Sequence, residues 1–600
     1  MPHFFIRLIN SKAYTAFFAL LGLIFMGCFL YTQWGVFYLP LYGDEPQWKM
    51  IVARLFLDGG KLLYLFPGCT QGFLLGVPMT WYPGRILDAL MYADASDPFY
   101  LRQYGVMIYL GLLFSWTILC RYCTCLSWVQ SFLMVSSFFM VGVLPLLMVY
   151  NRPEQSLLIW ISLALLVSVA LEKRPPQHRW IKIIVLIGFA LLGCFISAAH
   201  PKGIYFLPVL MVLYWRVSQA RWNLLGLGFI YAWTALETIA LWKIRTKCPE
   251  SGWLTTMLQG FTVQPKLLKS NPTLFFEMGT NNLHYWTQYL KGVTFAGSPY
   301  RYFLNPDLKL SWVGQFANDW VAMPIYAVAA LIVLNAGQSL FLLYQQGRRQ
   351  LTLAVLIYIL LVGGLLASDT LTAWGILAIA LGLVVGLVWM LINQNRSHWA
   401  IVFVMTLSLM VLMFMQSLKN FYEATLVWPI FLLIGIFTFN ATSTWARNAL
   451  KYGLLPLLLL LAIISTQARW DVMGNAPLSW QAARQKVLLD NLEFKQFAKE
   501  ACGIEEFTSL EDNLVLDDET YPMFWRHTRP MLTAYVFGWW SQGTDYKTTF
   551  AMYEPKGLAT KCNSAPAELM PYLKQTKDFC CASKEDLRAF NQANAGKTVK

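Results

Sequence analysis

Long apolar runs separated by short polar stretches make up most of this chain. A helix that crosses the hydrocarbon core of a bilayer needs about 20 consecutive apolar residues. Runs of that kind predict membrane spans near residues 14–34, 105–126, 128–150, 155–172, 181–198, 204–215, 222–241, 321–345, 350–367, 371–392, 399–417, 423–440 and 452–466. The pattern therefore predicts about thirteen transmembrane helices, of which the run 204–215 is short enough to be tilted, broken or partly re-entrant.

The polar stretches between the runs define the rest of the architecture. Residues 35–104 and 242–320 are long loops, and a polar segment follows the last span. In that segment, residues 478–500 repeat apolar positions at helical spacing, and residues 513–517 are typical of a short strand. We therefore expect a mostly α fold, with a polytopic helical bundle over residues 1–466 and a small α/β or α+β domain over residues 467–600.

The composition agrees with a membrane protein. The 600 residues are 57% hydrophobic and only 13% charged, which is about half the charged share of an average soluble protein. The formal net charge of +14 could by itself indicate a nucleic-acid partner. We exclude nucleic acid because many basic residues lie in short loops between apolar runs, as the positive-inside rule predicts for a multi-pass protein.

The positions of Lys and Arg orient the bundle. One alternate set of short loops carries most of them: Arg7, Lys12, Arg121, Lys173, Arg174, Arg179, Lys182, Arg216, Arg221, Arg348, Arg349, Arg396, Arg447 and Lys451. This distribution predicts an N-terminus inside and a C-terminus outside, with the three long polar segments on the outer face. The first span has the basic flank of a signal peptide but no evident small-residue cleavage site, so we expect it to be retained. The inner loops are too short for a nucleotide-binding domain, so any chemistry is expected at the outer face.

Cysteines are frequent in the predicted outer segments, where an oxidising environment favours disulfides. The six are Cys69, Cys248, Cys502, Cys562, Cys580 and Cys581. We favour a bridge from Cys502 or Cys562 to Cys580 or Cys581, and a clip between Cys69 and Cys248 is the alternative. A separate group, Cys120, Cys123 and Cys125, has a metal-like spacing but no neighbouring His or acid, so zinc is disfavoured.

An acidic pair lies near the start of the first outer loop. Asp44 and Glu45 follow soon after the first span, and Pro46 suits the first turn of an amphipathic helix lying on the membrane surface. At that position the two carboxylates would face the positive end of the helix dipole. The pair therefore either caps this helix or serves as a catalytic or metal-binding group.

Two further charged motifs fall at outer turns. Arg152 and Glu154 stand at the ends of two spans, where Arg152 either pairs with Glu154 or contacts an anion in a cavity. His200 and Lys202 project from a tight turn, from which they could bind a phosphate at the bilayer surface. A simple hairpin turn would need neither residue. All the motifs fall on one face of the membrane, which favours a shared site.

These motifs, in this order, resemble the GT-C superfamily of membrane glycosyltransferases, and within it the bacterial branch of the lipid A aminoarabinose transferase and the protein O-mannosyltransferases. The resemblance covers about residues 10–470. It rests on Asp44-Glu45, Ala53-Arg54, Asp58-Gly59-Gly60, Tyr82-Pro-Gly84, the stretch Asp97 to Arg102, Arg152-Pro-Glu154 and His200-Pro-Lys-Gly203. The Lys-Pro-Pro stretch of that branch is replaced here by a segment that ends in Arg85, the candidate substitute for its lysine.

The resemblance implies transfer of a sugar from a polyprenyl-phosphate donor to a lipid, glycan or protein of the cell envelope, at the periplasmic face of a bacterial inner membrane. Asp44 would be the general base, or a ligand of a divalent metal ion if one takes part, and Glu45 would position it. No other cofactor is suggested. The donor phosphate would bind Arg54, Lys61, Arg85, Arg152, His200 and Lys202, with Glu154 as structural support. One catalytic carboxylate predicts a single displacement, with inversion at the anomeric carbon.

Two other classes of membrane protein stay open at this point. A transporter or flippase of lipid-linked glycans would carry inverted repeats and charged residues at mid-membrane, and the chain has no clear repeat. In a structural or scaffolding protein the acidic residues would be helix caps. An enzyme needs Asp44, Arg152 and His200 around one outward cavity, whereas a transporter needs polar groups along a path through the membrane.

Overall fold

The structure is a computed structural model. It describes residues 12–36, 98–124, 126–150, 153–218, 221–245, 256, 260–285, 293–294, 310–328, 344–345, 347, 353, 356–357, 398–417, 421–438, 448–473, 492–505, 513–517, 520–524, 529–537 and 546–594. The predicted span 371–392 lies outside these residues, as do most of 321–345 and most of 350–367.

Helices make up most of the described chain. They are α1 (Lys12–Gly35), α2 (Pro98–Cys123), α3 (Trp128–Phe139), α4 (Leu144–Val149), α5 (Pro153–Lys173), α6 (Arg179–Ala199), α7 (Leu207–Val217), α8 (Arg221–Arg245), α9 (Leu267–Ser270), α10 (Pro272–His284), α11 (Trp312–Asp319), α12 (His398–Met415), α13 (Phe421–Thr438) and α14 (Leu455–Met473). A 3₁₀ turn, Pro201–Phe206, precedes α7, and a π-helical turn, Ala449–Leu454, leads into α14.

Six of the described helices are long and apolar enough to cross a membrane: Tyr14–Gly35, Arg102–Cys123, Glu154–Lys173, Arg179–Ala199, His398–Met415 and Ala449–Asp471. Large apolar side chains on their neighbours and outer faces are left exposed, among them Leu23 (70%), Phe114 (67%), Trp180 (76%) and Phe229 (83%). Surfaces of this kind suit contact with lipid rather than with water. The chain is therefore a mostly α membrane protein.

The third predicted span is broken rather than continuous. α3 and α4 are separated at Gly142, whose φ of +52° is a left-handed conformation that glycine adopts without a steric penalty. The backbone N–H of Val143 donates to the carbonyl of Val293 at 3.0 Å. The Arg469 guanidinium donates to the carbonyls of Met140 and Gly142 at 2.6 and 3.0 Å. The polar groups freed by the break are thus satisfied inside the bundle, as a membrane interior requires.

Contacts between aromatic rings show which helix termini lie together at each end of the bundle. α1 and α14 run in the same direction, because Tyr14 lies against Tyr452 near their starts and Tyr31 stacks on Trp470 near their finishes. Arg102, at the start of α2, donates to the carbonyl of Val36, just beyond α1. We call this the domain end, since α14 leads from it towards the C-terminal domain; the opposite end is the far end.

The C-terminal domain contains one five-stranded sheet. Its strands are β1 (Asn513–Leu516), β2 (Arg529–Leu532), β3 (Gly557–Lys561), β4 (Lys574–Thr576) and β5 (Phe579–Ser583), in the order β2-β1-β3-β5-β4. β1 is parallel to β2 and β3, and β5 is antiparallel to β3 and β4. Helices in this domain are α15 (492–502), α16 (Tyr521–Phe524), α17 (Thr533–Val536), α18 (Tyr546–Tyr553) and α19 (Lys584–Asn594).

Helices cover both faces of this sheet. Phe494 and Ala498 of α15 share a buried cluster with Leu514 of β1. On the other face, Phe550 of α18 and Phe590 of α19 share a cluster with residues of β1, β3 and β5. Tyr104 of α2 packs against the first cluster, so the domain contacts the bundle at its domain end.

Several predictions for this region are confirmed, with shifted boundaries. The strand predicted at 513–517 is β1, and residues 492–500 of the helix predicted at 478–500 are helical. The last membrane helix runs on to Met473, past the predicted end at 466. Disulfides join Cys502 to Cys581 and Cys562 to Cys580, within the favoured pairings. Cys69 and Cys248 lie outside the described residues.

Candidate functional site

The described residues contain three of the predicted site residues. Glu154, His200 and Lys202 all lie at the domain end of the bundle, and the structure brings them together. The other predicted residues lie outside the described part of the chain: Asp44, Glu45, Arg54, Lys61, Arg85 and Arg152.

The sequence of the turn between α6 and α7 explains its conformation. His200 ends α6 and caps the 3₁₀ turn, since its Nδ1 accepts from the backbone N–H of Lys202 at 3.1 Å. Pro201 takes the first position of the turn, where an N–H would have no partner. A Cβ atom on Gly203 would lie 2.1 Å from the carbonyl oxygen of Ile196, so only glycine fits there. Each residue of the motif thus fixes the direction in which Lys202 leaves the backbone.

The cap also sets the protonation of His200. Because Nδ1 accepts a hydrogen bond, the neutral ring carries its proton on Nε2. Nε2 lies 3.9 Å from Oε1 of Glu154, and the His200 side chain is 19% exposed. His200 is therefore the partly open member of the site, with an N–H directed to the same region as the Glu154 carboxylate.

Lys202 joins three separate parts of the chain. Its Nζ donates to Oε1 of Glu154, at the start of α5, at 3.0 Å, and to Oε1 of Glu423, at the start of α13, at 2.8 Å. All three side chains are 7% exposed or less. We call Glu154, Lys202 and Glu423 the Lys202 cluster. Such a buried arrangement needs close geometry to offset the cost of removing the charges from water.

The charges of the cluster favour a protonated lysine. Burial disfavours the ammonium, but attraction to Glu423 and Glu154, together with their hydrogen bonds, outweighs burial and raises the pKa of Lys202 above its ordinary value. Among the described residues, the carboxylates take two of the three donors that an ammonium has, which leaves one N–H for another acceptor.

Sequence reasoning missed Glu423. The signal was present, because Glu423 is an acid at the start of an otherwise apolar run, and ionisable residues at such positions are functional candidates. Glu154 was predicted to pair with Arg152 or to support it. That pairing stays a prediction, because Arg152 lies outside the described residues, and within them Glu154 binds Lys202. Proximity between positions 202 and 423 is a tertiary contact that no local pattern encodes.

Arg102, the last residue of the sequence motif that begins at Asp97, lies at the domain end of the bundle. Arg102 is only 2% exposed, and besides its bond to the Val36 carbonyl its guanidinium lies 5.5 Å from the centre of the Tyr150 ring. Arg102 thereby ties α2 to the end of α1 and to the end of α4.

A different charged cluster occupies the far end. Arg216, near the end of α7, donates to Glu172 of α5 at 2.5 Å and lies 3.3 Å from Nδ1 of His398, which begins α12. The Glu172 side chain is 38% exposed, whereas the Arg216 side chain is 1% exposed. We call these residues the Arg216 cluster. None of them was a predicted site residue.

Metal binding can be assessed only for part of the chain. Within the described residues, no group of three or more His, Cys, Asp or Glu side chains is arranged to hold a metal ion. The predicted metal ligands, Asp44 and Glu45, lie outside those residues.

Comparisons with known proteins found no relative. No protein-family model matches the chain, and no curated protein or solved structure matches it either.

Proposed function

We propose that the protein is a membrane glycosyltransferase, which moves a sugar from a polyprenyl-phosphate donor to an acceptor of the cell envelope. The observation that supports it best is the meeting of Glu154, His200 and Lys202, from two motifs far apart in sequence, at one end of the bundle. The distribution of Lys and Arg predicts that this end is the outer face, which in a bacterial inner membrane is the periplasmic face. A donor held between helices would present its phosphate there.

Lys202 and His200 have defined roles in this proposal. The remaining N–H of Lys202 donates to an oxygen of the donor phosphate, and His200, the partly exposed member of the site, contacts the same phosphate. The hydrogen bonds to Glu154 and Glu423 hold the Lys202 ammonium in place, so Lys202 acts as a donor with a fixed position. The departing phosphate gains negative charge. That charge is balanced by the cations predicted from sequence: Arg54, Lys61, Arg85 and Arg152.

The reaction itself is a single displacement. Asp44 takes the proton of the acceptor hydroxyl or amine, Glu45 positions Asp44, and the acceptor atom attacks the anomeric carbon. The bond between that carbon and the phosphate oxygen breaks as the new bond forms, so polyprenyl phosphate leaves and the configuration inverts.

The charged residues of the six apolar helices favour an enzyme over a transporter of lipid-linked glycans. In these helices every Asp, Glu, Lys or Arg falls within the first or last turn or so, at the domain end or the far end. A transporter with a polar path would need such residues near the middle of the membrane. The described helices therefore support chemistry at one face rather than passage between faces.

The test is a transfer assay with detergent-solubilised protein, a panel of radiolabelled polyprenyl-phosphate sugars and a membrane extract as acceptor. We compare the wild type with Asp44→Asn, with Lys202→Met and with Lys577→Met, a control in which an exposed surface lysine is removed. We expect transfer by the wild type and the control, and a loss of about 100-fold or more in Asp44→Asn, since general base catalysis contributes factors of that size.

Folding is controlled in the same experiment. Monodispersity and the thermal midpoint are measured for each variant, and Lys202→Met is paired with Lys202→Met/Glu154→Gln, which removes one buried carboxylate with the lysine. If folded Asp44→Asn transfers the sugar at the wild-type rate, Asp44 is not the general base and Glu45 becomes the next candidate. Absence of transfer with every donor contradicts the glycosyltransferase proposal and favours a transporter.

A further inference from the structure

A second candidate site lies in the C-terminal domain, away from the Lys202 cluster. α18 and α19 border a cleft of about 410 Å³ that opens to solvent. Its floor is apolar and includes Phe550 and Leu587, both almost completely buried. Charged and amide side chains stand around it, namely Glu554, Lys584, Arg588, Asn591 and Gln592. A volume of this size is at the small end of ligand sites and suits one or two sugar rings.

Two cations at the cleft share one carboxylate. Oε2 of Glu554 lies 3.1 Å from Nη2 of Arg588 and 3.7 Å from Nζ of Lys584. All three side chains remain between 31% and 58% exposed, so solvent and ligands can reach them. An ion pair at this exposure is worth little. A carboxylate from a ligand can therefore displace Glu554 at small cost.

The backbone of Glu554 adds a separate observation. This residue follows α18 with a φ of +38°, a conformation that glycine or asparagine adopts more readily than glutamate. Its N–H closes the last turn of the helix by donating to the Phe550 carbonyl at 3.0 Å. In this conformation the Glu554 side chain contacts Arg588 and Lys584.

The amides around the cleft suit hydroxyl groups. Asn591 contributes a carboxamide side chain to the lining of the cleft. Gln592 is exposed beside it. Amide side chains donate to and accept from hydroxyls, as a sugar requires, whereas a simple inorganic anion would use only the cations.

We propose that this cleft binds an acidic saccharide unit, with its carboxylate between Lys584 and Arg588 in the place of Glu554, and its hydroxyls on Asn591 and Gln592. In the free protein, the Glu554 carboxylate therefore occupies the position of the ligand's carboxylate. The proposal does not depend on the glycosyltransferase reaction, because it concerns binding alone. If that reaction holds, the cleft is the place where an acidic glycan acceptor is held.

The experiment measures binding to the full-length protein in detergent by isothermal titration calorimetry. The probes are glucuronate, glucose, which lacks the carboxylate, and acetate, which lacks the hydroxyls. We expect glucuronate to bind at least about tenfold more tightly than either, since each loses one group of contacts worth about 1.4 kcal/mol or more. The variants are Glu554→Gln, Arg588→Gln and Lys584→Gln, with Glu493→Gln as the matched control, because Glu493 pairs with the exposed Lys577 in the same domain.

The variants are expected to change affinity in opposite directions. Glu554→Gln removes the competing carboxylate and tightens glucuronate binding up to about fivefold, the factor that corresponds to an exposed ion pair. Arg588→Gln and Lys584→Gln each weaken it by a similar factor, and Glu493→Gln leaves it unchanged. The proposal is overturned if glucuronate shows no saturable binding, if acetate or glucose binds equally well, or if Glu554→Gln fails to tighten binding. None of these results bears on the transfer assay.

Discussion

The two ends of the helical bundle both carry a buried cation, but they hold it differently. At the domain end, Lys202 lies between two carboxylates that are 1% and 4% exposed. At the far end, Arg216 has one carboxylate partner, Glu172, which is 38% exposed and can be hydrated. The first cluster therefore depends on its own geometry for stability, whereas water can replace lost partners in the second.

The two clusters therefore differ in how far water can reach them, and this difference bears on their roles. The Arg216 cluster is neutral in sum and half open, as expected where a helix ends near a polar interface. The Lys202 cluster is buried and is bordered by a turn in which His200 and Gly203 are each needed for the geometry. A cluster of that kind restricts what can approach it, which favours a functional role at the domain end.

Removal of the lysine should give the largest effect. Lys202→Met leaves two buried carboxylates without their shared ammonium, and we expect the free energy of unfolding to fall by about 3–5 kcal/mol. SDS titration of the detergent-solubilised protein measures it. The charge-conserving variant Lys202→Arg is the control. A loss below about 1 kcal/mol would show that the two carboxylates are already hydrated.

The turn that aims Lys202 should be sensitive to a single methyl group. In Gly203→Ala the new Cβ meets the Ile196 carbonyl at 2.1 Å, and we expect a loss of about 1–3 kcal/mol. Gly188→Ala is the matched control in the preceding helix, because no atom lies within 4 Å of its added Cβ. Equal stabilities of the two variants, from the same titration, would show that the backbone at 203 can move away.

The far end should tolerate the equivalent loss better. Arg216→Met leaves Glu172 at a half-exposed position, and we expect a cost of about 1 kcal/mol, well below that of Lys202→Met. The two variants are compared in one denaturation series. If Arg216→Met lowers the free energy of unfolding as much as Lys202→Met does, the two clusters do not differ in their dependence on the buried cation.

The smallest expected effect concerns pH: the stabilisation that Lys202 contributes should not change with pH in the neutral range. A group whose folded-state pKa is raised keeps its full stabilising effect below the unfolded pKa and loses it only as pH rises through the folded value. For Lys202 the unfolded value is about 10.5 and the folded value is higher. The stability difference between wild type and Lys202→Met should thus stay constant from about pH 7 to about pH 9.5. A difference that shrinks across this range would mean that burial lowers the pKa instead.

Much of the architecture could be predicted from the sequence, because membrane helices and short strands are encoded locally. Apolar runs of sufficient length identify α1, α2, α5, α6, α12 and α14, and local pattern identifies β1. The break at Gly142 was not predicted, since it depends on Arg469 and on Val293, which are far away in sequence. The hydropathy of this span is continuous, and the local signal is limited to Gly142 and to Pro145, which lies in the first turn of α4.

The candidate site was only partly predictable for the same reason. The turn at 200–203 has a local signature in its Pro and Gly, and the His and Lys beside them were identified as functional candidates. The role of Glu423 comes from a contact with Lys202 across 221 positions of sequence. The pairing of Glu154 with Lys202 is also a property of helix packing, which brings together residues 48 positions apart in the sequence.

The adjacent cysteines of β5 have a consequence for how the domain reaches its final bonds. Neighbouring residues on a strand point to opposite faces, so Cys581 meets Cys502 under α15 while Cys580 meets Cys562. Exchanging the partners would require β5 to slip by one residue against β3, which would move every side chain of β5 to the opposite face of the sheet. The register of β5 against β3 therefore determines which disulfides form, because the native register brings each thiol to its own partner.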